Sequence, residues 1–454
     1  MARTPRIARA LLAAAALLAL VGCAREPAPR SVICIVVDTL RADRLGAYGY
    51  QGDPTSPRLD AWLARARLYE RALAPSPWTL PSMASIVSGR WPVHHGAGRW
   101  ARTATGKGLA PLRHDQATLG ERFQAAGFAT AAIVSNNFLG PGFGMQQGFG
   151  LYDFEAATNE RGRRADEVVQ RAFAWLDSRR EERVFLLVQF FDPHMNYDAP
   201  PPFHGRFTEP IHADPSLPLT DGRTLRRRIA ELSDDDRRYI GAAYDEEVAF
   251  VDAQLGAMLD GLERRGLLRE ALVVLTADHG EELFDHGSFE HGHSLYQELL
   301  HVPLAFWGPG VRPGRELAPV SLVDLAPTLL EAVSLPPLSP SDGVSLWPNL
   351  TRDAALPKRA LYAESLLFGT EQKAVIDWPE KLVWVPRRDS WQRFDLEKDP
   401  GEQHGAAPDG SAAERELERG GVALWSAKPE GGSEGGAPVD ETTREALEKL
   451  GYLE

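Results

Sequence analysis

The sequence contains very little cysteine. Its 454 residues include only two, Cys23 and Cys34, so a small scaffold held together by several disulfides is excluded. Cys34 lies inside an apolar run and is expected to be a buried core thiol. A chain of this length can instead be stabilised by burying a large apolar core.

An excess of positive charge is also lacking. The chain carries 50 lysines and arginines against 63 aspartates and glutamates, a formal net charge of -13. Nucleic acid is therefore not expected as a partner, because its recognition requires a basic face. An anionic substrate is still compatible with this charge, since a bound metal ion can set the local field.

Long hydrophobic runs are scarce, and the clearest one lies at the N-terminus. Three arginines precede the apolar stretch 11–20, a pattern typical of an export signal and too short to span a membrane comfortably. The stretch ends in Leu-Val-Gly-Cys, which resembles a bacterial lipobox. We predict a lipoprotein signal peptide over 1–22, lipidation of Cys23 and a tether over 23–30. The protein would then reside at the bacterial cell envelope, attached to a membrane through the lipid anchor alone; simple secretion is the alternative.

Four short apolar runs are each followed by polar residues. The runs cover residues 32–37, 130–134, 184–191 and 271–276. Continuous apolar runs of this length predict strands that are buried on both faces of a parallel sheet. Ligands bind beyond the carboxyl ends of such strands. The polar residues expected at that edge are Asp38, Asn136, His194, Asp278 and His279.

Helical patterns lie between these runs. The clearest has apolar residues three and four positions apart from Ile240 to Leu262. Alternation of strands and helices predicts an α/β fold with a doubly wound, mainly parallel sheet flanked by helices. We expect a catalytic domain over 31–335, a small C-terminal α+β subdomain over 336–404, and a flexible tail over 405–454 that ends in a short helix.

Thr79 lies in the segment Pro-Trp-Thr-Leu-Pro-Ser, where a proline near a helix start places it close to the N-cap. A hydroxyl there faces unpaired N–H groups and the positive end of the helix dipole, which favour an alkoxide or an incoming oxyanion. Beside a metal ion, Thr79 could be an activated nucleophile. From this segment alone, a simple helix cap is the better interpretation.

The motifs together resemble the sulfatase family of the alkaline phosphatase superfamily, from about Ile33 to about Pro400. They are DTLRADRLGAYGY from 38, TLPS from 79 with SGR from 88, DPH from 192, DHG from 278, HGHSLY from 291, VPL from 302 and FDLEKDP from 394. The ordered set is specific for the family. The resemblance implies a sulfatase-like catalytic domain followed by a small C-terminal domain.

Three positions differ from the family pattern. Sulfatases carry Cys or Ser at the position of Thr79, which is oxidised to formylglycine, and threonine is not a substrate for that conversion. The arginine expected four residues later is Met83, and the second aspartate of the opening pair is Thr39. A threonine nucleophile resembles instead the superfamily's phospholipid-headgroup transferases, such as lipoteichoic acid synthases and phosphoethanolamine transferases.

This resemblance implies that Asp38, Thr79, Asp278 and His279 bind a divalent metal ion. Mixed oxygen and nitrogen donors suit Zn²⁺ or Mn²⁺ better than Ca²⁺, which stays an option. Thr79 would be the catalytic nucleophile. Two histidines, His194 and His291, would contact the substrate or protonate the leaving group. Asn136 would add a hydrogen bond to the substrate.

The predicted function is metal-dependent hydrolysis, or transfer, of phosphate or phosphonate esters with a threonine nucleophile. A sulfuric ester hydrolase that works without formylglycine is the first alternative, because sulfate and phosphate esters share a tetrahedral shape and in-line displacement. A lipoprotein that keeps the fold but only binds is the second. The ester could belong to a small molecule, a lipid or a glycan, since the fold does not fix the substrate.

Overall fold

The computed structural model describes residues 28–103, 106–155, 162–219 and 222–426. The predicted signal peptide, the lipidation site Cys23, most of the tether and the terminal helix lie outside these ranges. Within them, no helix has both the length and the apolar character needed to cross a membrane.

The described residues form seventeen strands and eleven α-helices. The strands are β1 Ser31–Val37, β2 Arg67–Leu73, β3 Trp100–Thr103, β4 Gly106–Leu109, β5 Ala129–Val134, β6 Leu151–Phe154, β7 Val184–Phe190, β8 Ala271–Ala277, β9 Glu282–Leu283, β10 Phe289–Glu290, β11 His301–Trp307, β12 Gly314–Glu316, β13 Val320–Ser321, β14 Leu361–Ala363, β15 Lys373–Asp377, β16 Glu380–Val385 and β17 Ser390–Asp395. The helices are α1 Pro57–Leu63, α2 Thr79–Ser88, α3 Pro92–His95, α4 Leu119–Ala125, α5 Ala165–Asp177, α6 Gly222–Arg228, α7 Asp234–Arg264, α8 Gln297–Leu300, α9 Leu325–Ala332, α10 Trp347–Arg352 and α11 Ala412–Ser426.

A mixed, mostly parallel sheet forms the centre of the protein, in the order β12-β2-β11-β8-β1-β7-β5-β6 with β13 also paired to β2. The neighbours β8, β1, β7, β5 and β6 are parallel, whereas β11 is antiparallel to both β8 and β2. The predicted α/β class is confirmed, and the four predicted strands are present with ends shifted by at most one residue.

The middle of the sheet is buried on both faces, as expected for parallel strands under helices. Every residue of β1, β7 and β8 is buried. These three strands are adjacent and parallel, so their carboxyl ends meet at one edge. The residues that follow them are therefore brought together by the topology alone.

Helix α7 supports this edge from one side. It starts with a capping box in which the side chains and backbones of Ser233 and Asp236 bond reciprocally. Near its middle, the buried Tyr244 donates its hydroxyl proton to the carbonyl of Thr39 over 2.8 Å and accepts from the Arg41 N–H over 3.1 Å. The chain is thus held in place directly after β1.

A small antiparallel sheet, β14-β15-β16-β17, forms the second unit near the C-terminus, as predicted. Lys381 on β16 attaches this subdomain to the catalytic domain, because its ammonium donates to the Leu295 carbonyl. The same ammonium lies 2.6 Å from Glu402 Oε1 in a fully buried ion pair. The second oxygen of Glu402 accepts from the backbone N–H of Gln297 over 2.6 Å. The subdomain is therefore attached to the segment that follows His291.

The prediction of a flexible tail from 405 onward is wrong over Ala412–Ser426, which forms α11. Its Trp425 is buried and stacks on Trp384, with ring centroids 6.0 Å apart. Its Glu414 carboxylate lies 3.1 Å from the guanidinium of Arg393 on β17. A composition rich in Gly, Ala and Glu concealed this helix, which packs against the small sheet.

Candidate active site

Three buried side chains at the carboxyl edge of the sheet form a cage that could hold a cation. Asp38 follows β1, and Asp278 and His279 follow the neighbouring β8. The Nε2 atom of His279 lies 3.5 Å from Asp38 Oδ1 and 3.6 Å from Asp278 Oδ2. One potential ligand atom from each residue lies within 4.8 Å of the others. The topology thus brings together three of the four predicted metal ligands.

The hydrogen bonding of the two carboxylates fits a metal ion. Asp38 Oδ2 accepts from Asn136 over 2.6 Å and from Gln189 over 2.9 Å, and Asp278 Oδ1 accepts from the His279 N–H over 3.0 Å. The remaining oxygens, Asp38 Oδ1 and Asp278 Oδ2, are buried without a hydrogen-bond partner. A buried anionic oxygen without a donor is costly, and a divalent cation would satisfy both oxygens.

The His279 ring is oriented as a metal ligand. Its Nδ1–H donates to the carbonyl oxygen of Gly280 over 2.9 Å, which leaves the Nε2 lone pair facing the two carboxylates. Burial lowers the pKa of His279, so the ring is neutral at physiological pH. A neutral imidazole with its second nitrogen held by a backbone carbonyl is the usual form of a metal-binding histidine.

The electrostatics of the cage favour protons or a cation. Burial raises the pKa of Asp278 to about 8. Burial also raises the pKa of Asp38 well above its usual range, and the nearby Asp278 charge adds to this shift. Two like charges in a dry site repel each other strongly, so a bound divalent ion would lower both pKa values.

Thr79 lies beside this cage, at the first residue of α2. Its Oγ1 is 3.3 Å from His279 Nε2 and accepts from Asn136 Nδ2 over 3.1 Å. The predicted helix start is confirmed, with Trp78 as an extended N-cap residue. The helix is fixed against β8 because the Ser82 hydroxyl donates to the carbonyl of Asp278 over 2.6 Å.

Asn136 forms hydrogen bonds with two other residues of the site. Its side-chain N–H groups donate to Asp38 and Thr79, and its oxygen accepts from the N–H of Phe138 over 2.9 Å. These contacts fix the Thr79 hydroxyl relative to the cage. The predicted contact of Asn136 with substrate stays a prediction.

The two remaining predicted histidines form a row that leads away from the cage. Ring centroids are 4.5 Å apart between His279 and His291 and 5.0 Å apart between His291 and His194. The Nδ1 of His291 lies 2.8 Å from Glu281 Oε1, and the Nδ1–H of His194 donates to the Met195 carbonyl over 2.6 Å. Burial lowers the pKa of His194 to about 3 and shifts that of His291 in the same direction.

Two site residues escaped the sequence analysis. Gln189 donates to Asp38 and accepts from the Ser135 N–H over 3.1 Å, so it orients a cage ligand. It is the single polar residue inside β7, and a polar residue in an otherwise apolar run was the available signal. Glu281 is fully buried, bonds to His291, and accepts from the Tyr197 hydroxyl over 3.2 Å.

The backbone directly after Asp38 is strained. Thr39 has φ +54°, a left-handed conformation that a β-branched residue rarely adopts. Such a residue costs on the order of 1–3 kcal/mol and is maintained only where the surroundings enforce it. Here Tyr244 holds the Thr39 carbonyl. This turn sets the path of the chain immediately after Asp38.

Comparison with known proteins places the site in a family context. The sequence profile of the Sulfatase family matches residues 30–335. Choline-sulfatase of Rhizobium meliloti is 26% identical over 425 residues, which cover 82% of this chain and 81% of that protein. Delta 4,5-hexuronate-2-O-sulfatase of Bacteroides thetaiotaomicron is 24% identical over 432 residues, which cover 86% of this chain and 88% of that protein. The solved structure of a phosphonate monoester hydrolase from Silicibacter pomeroyi superposes with a TM-score of 0.70 at 21% identity, covering 87% of this chain and 94% of that chain.

We predict that Asp278→Asn stabilises the metal-free protein while abolishing metal binding. The folded pKa of about 8 lies above the unfolded one, so the metal-free protein loses stability as the pH rises from about 3.9 toward 8. At pH 7.5 the variant should gain on the order of 1–3 kcal/mol in unfolding free energy. Thermal and urea unfolding with and without Zn²⁺ or Mn²⁺ measures both effects.

The matched control is Asp235→Asn, which removes a half-exposed carboxylate on α7 and should change stability by less than about 0.5 kcal/mol. Wild-type protein should gain stability on addition of the metal ion, whereas Asp278→Asn should not. Equal metal-induced stabilisation of both proteins would show that Asp278 is not a ligand.

Proposed function

The chain belongs to the sulfatase family, and from that membership we propose a divalent-metal-dependent ester hydrolase whose nucleophile is the Thr79 hydroxyl and whose substrates are phosphate or phosphonate esters. The observation that carries the proposal is the position of Thr79 Oγ1. It lies at a helix N-terminus, 3.3 Å from His279 Nε2 and beside two carboxylate oxygens that lack hydrogen-bond donors.

The residues of the chain divide into a metal site and a nucleophile site. Asp38, Asp278 and His279 would hold the ion. Thr79 Oγ1 lies 3.3 Å from His279 Nε2 and accepts from Asn136, which also donates to Asp38. When bound, a divalent ion lowers the pKa of an adjacent hydroxyl and withdraws charge from an ester oxygen. The N-terminal dipole of α2 acts in the same direction, because it favours negative charge on Thr79.

Thr79 attacks the phosphorus in line, and the bond to the alcohol breaks as the new bond forms. Its hydroxyl oxygen is positioned by the Asn136 side-chain N–H, which donates to it over 3.1 Å. The covalent intermediate is a phosphothreonine. The threonine carbon that bears the ester oxygen carries no second hydroxyl that could expel the group. The ester is therefore released when water attacks phosphorus and the bond from phosphorus to the Thr79 oxygen breaks.

Proton transfer falls to His194 and His291. In each ring Nδ1 is engaged by an acceptor, so proton exchange with the substrate passes through Nε2. The low pKa of both rings means that they enter the reaction as neutral bases. In the first step they are suited to take the proton of the Thr79 hydroxyl and pass it to the departing alkoxide; in the second they would take a proton from water and pass it to the departing Thr79 oxygen.

A specific observation supports sulfate esters as the second candidate. Both curated relatives named above are sulfatases, and they cover more than four-fifths of this chain. Against this, the position that becomes formylglycine in the resembling enzymes is a threonine. The phosphonate monoester hydrolase neighbour shows that the same fold hosts phosphorus chemistry.

We predict that Thr79→Ala lowers kcat on aryl phosphate or phosphonate esters by about 10³-fold or more, since it removes the covalent route. Thr79→Ser should retain a measurable rate because the hydroxyl is kept. Thr351→Ala removes a hydroxyl on α10 that donates to the Trp347 carbonyl and should leave the rate within twofold. Rates are measured on metal-loaded protein with matched phosphate, phosphonate and sulfate substrates.

The outcomes separate the candidate functions. Thr79-dependent turnover of aryl sulfates in preference to phosphorus esters would favour the sulfatase alternative. Stoichiometric metal without turnover of any ester would favour a protein that only binds. Turnover that is indifferent to Thr79 would contradict the proposed nucleophile.

We also propose that the enzyme is held at the bacterial envelope by a lipid on Cys23. Support comes from the sequence, where Leu-Val-Gly-Cys follows an apolar stretch of signal-peptide length. Labelled fatty acid should be incorporated into the expressed protein and should be lost in Cys23→Ser. Equal labelling of both proteins would contradict the anchor, whereas absence of label from both would favour simple secretion.

A further inference from the structure

The cage and its histidines contain no cationic side chain that could receive the negative charge of a substrate. The cage contributes two carboxylates, and Glu281 adds a third acidic group within reach of His291. A bound divalent ion would only balance the charges of Asp38 and Asp278. An anionic ester therefore requires a further positive charge close to the row of histidines.

Arg41 and Arg164 approach the site but are not available for this task. The guanidinium of Arg41 donates to both carboxylate oxygens of Asp43 and of Asp285 at 2.7–2.9 Å. Arg164 lines a cavity of about 350 Å³ that reaches His194, but it pairs with Asp166 at 3.1 Å. That cavity also contains Asp192, Asp198 and Glu247, so its charge is unfavourable for an anion.

Arg226 is differently placed. Its helix, α6, packs on the two residues that adjoin the candidate catalytic histidines. A Cβ atom at Gly222 would collide with the Glu290 carboxylate and lie 2.9 Å from Met195 Sδ. Glu290 precedes His291 in the chain, and Met195 follows His194. The completely buried Leu225 fixes the helix in this position.

Arg226 contacts one acidic and one aromatic side chain near His291. Its guanidinium forms an ion pair with Glu290 and lies 5.8 Å from the ring centroid of Phe368. Phe368 belongs to the C-terminal subdomain, and its N–H donates to the Gly292 carbonyl over 3.0 Å. The Arg226 side chain is 27% exposed, whereas that of Glu290 is 10% exposed. The arginine thus lies between the catalytic domain and the subdomain, with part of its head group open to solvent.

Glu290 itself has an unusual backbone. Its φ is +70°, in the left-handed region that favours glycine. Backbone strain of this kind persists where the surroundings enforce it, often at functional sites. The conformation holds the carboxylate against Arg226 and sets the direction of the chain into His291. Glu290 therefore pairs with an arginine beside a candidate catalytic residue. In the substrate-free protein its carboxylate can take the place of the anionic group of a substrate.

We propose that Arg226 is the residue that receives the anionic group of the substrate, exchanging its ion pair with Glu290 for the non-bridging oxygens of the ester. A guanidinium can bind two such oxygens in parallel, which suits a phosphate, phosphonate or sulfate group. The inference rests on the proposed function, because it takes the cage and Thr79 as the reacting centre.

The test compares Arg226→Gln, Arg226→Lys and Glu290→Gln in the metal-loaded full chain, with inorganic phosphate as a competitive inhibitor. Arg226→Gln should raise the inhibition constant and lower kcat/KM by about 10- to 100-fold, as expected for the loss of a charge-assisted bidentate contact. Arg226→Lys should recover part of this loss. Arg227→Gln, which changes the exposed next residue of the same helix, should stay within twofold.

The direction in which Glu290→Gln changes the inhibition constant of phosphate decides between two roles of the ion pair. If Glu290 competes with the substrate for Arg226, its removal should lower the inhibition constant of phosphate by a few fold. If the ion pair only holds the fold together, Glu290→Gln and Arg226→Gln should impair binding in the same direction and lower the melting temperature alike. That second pattern would overturn the inference.

The inference can fail separately from the proposed function. Calorimetry of inorganic phosphate and sulfate binding to metal-loaded Thr79→Ala, with and without Arg226→Gln, requires no turnover. At least tenfold weaker binding in the double variant supports Arg226 as the anion receiver, even if Thr79 proves not to be the nucleophile. Binding that is equal within twofold, or no binding to either protein, contradicts it.

Discussion

Mutual repulsion between two buried carboxylates is the constraint from which the rest of this site follows. Asp38 and Asp278 directly follow adjacent parallel strands, and both side chains are fully buried. One oxygen of each is satisfied by the protein, and the other faces its counterpart without a donor. Such an arrangement is unfavourable in the metal-free protein and would become favourable if a divalent cation bound there, as we propose.

The hydrogen bonds of the three site histidines follow one pattern. His279, His291 and His194 each engage Nδ1 with an acceptor, so in all three rings Nε2 is the nitrogen on the opposite side from that contact. Asn136 joins the cage to Thr79, the proposed nucleophile, by donating to both Asp38 and Thr79. The histidines are neutral because they are buried. Positive charge must therefore come from a bound ion and, in our proposal, from Arg226 at the boundary with the C-terminal subdomain.

Much of the site could be predicted from the sequence because the sheet is parallel and buried. Strands of this type are continuous apolar runs, and the residues after them meet at one edge, which identified Asp38, Asp278 and His279. Gln189 carried one signal, a polar residue in an otherwise apolar strand, but its role depends on the hydrogen bond to Asp38, which the sequence does not show. Helix α11 was missed because its stability comes from Trp425 packing on the small sheet. Arg226 escaped since its role depends on Glu290, 64 positions further along the chain.

The central claim is that Thr79 forms a covalent ester with the group being transferred. The most direct test is acid quenching of the metal-loaded enzyme during turnover of an aryl phosphonate, followed by peptide mapping with high-resolution mass spectrometry. We predict a phosphonyl adduct on the peptide that contains Thr79, and no adduct in Thr79→Ala. Turnover at an undiminished rate with the Thr79 peptide unmodified at every quench time would contradict the account.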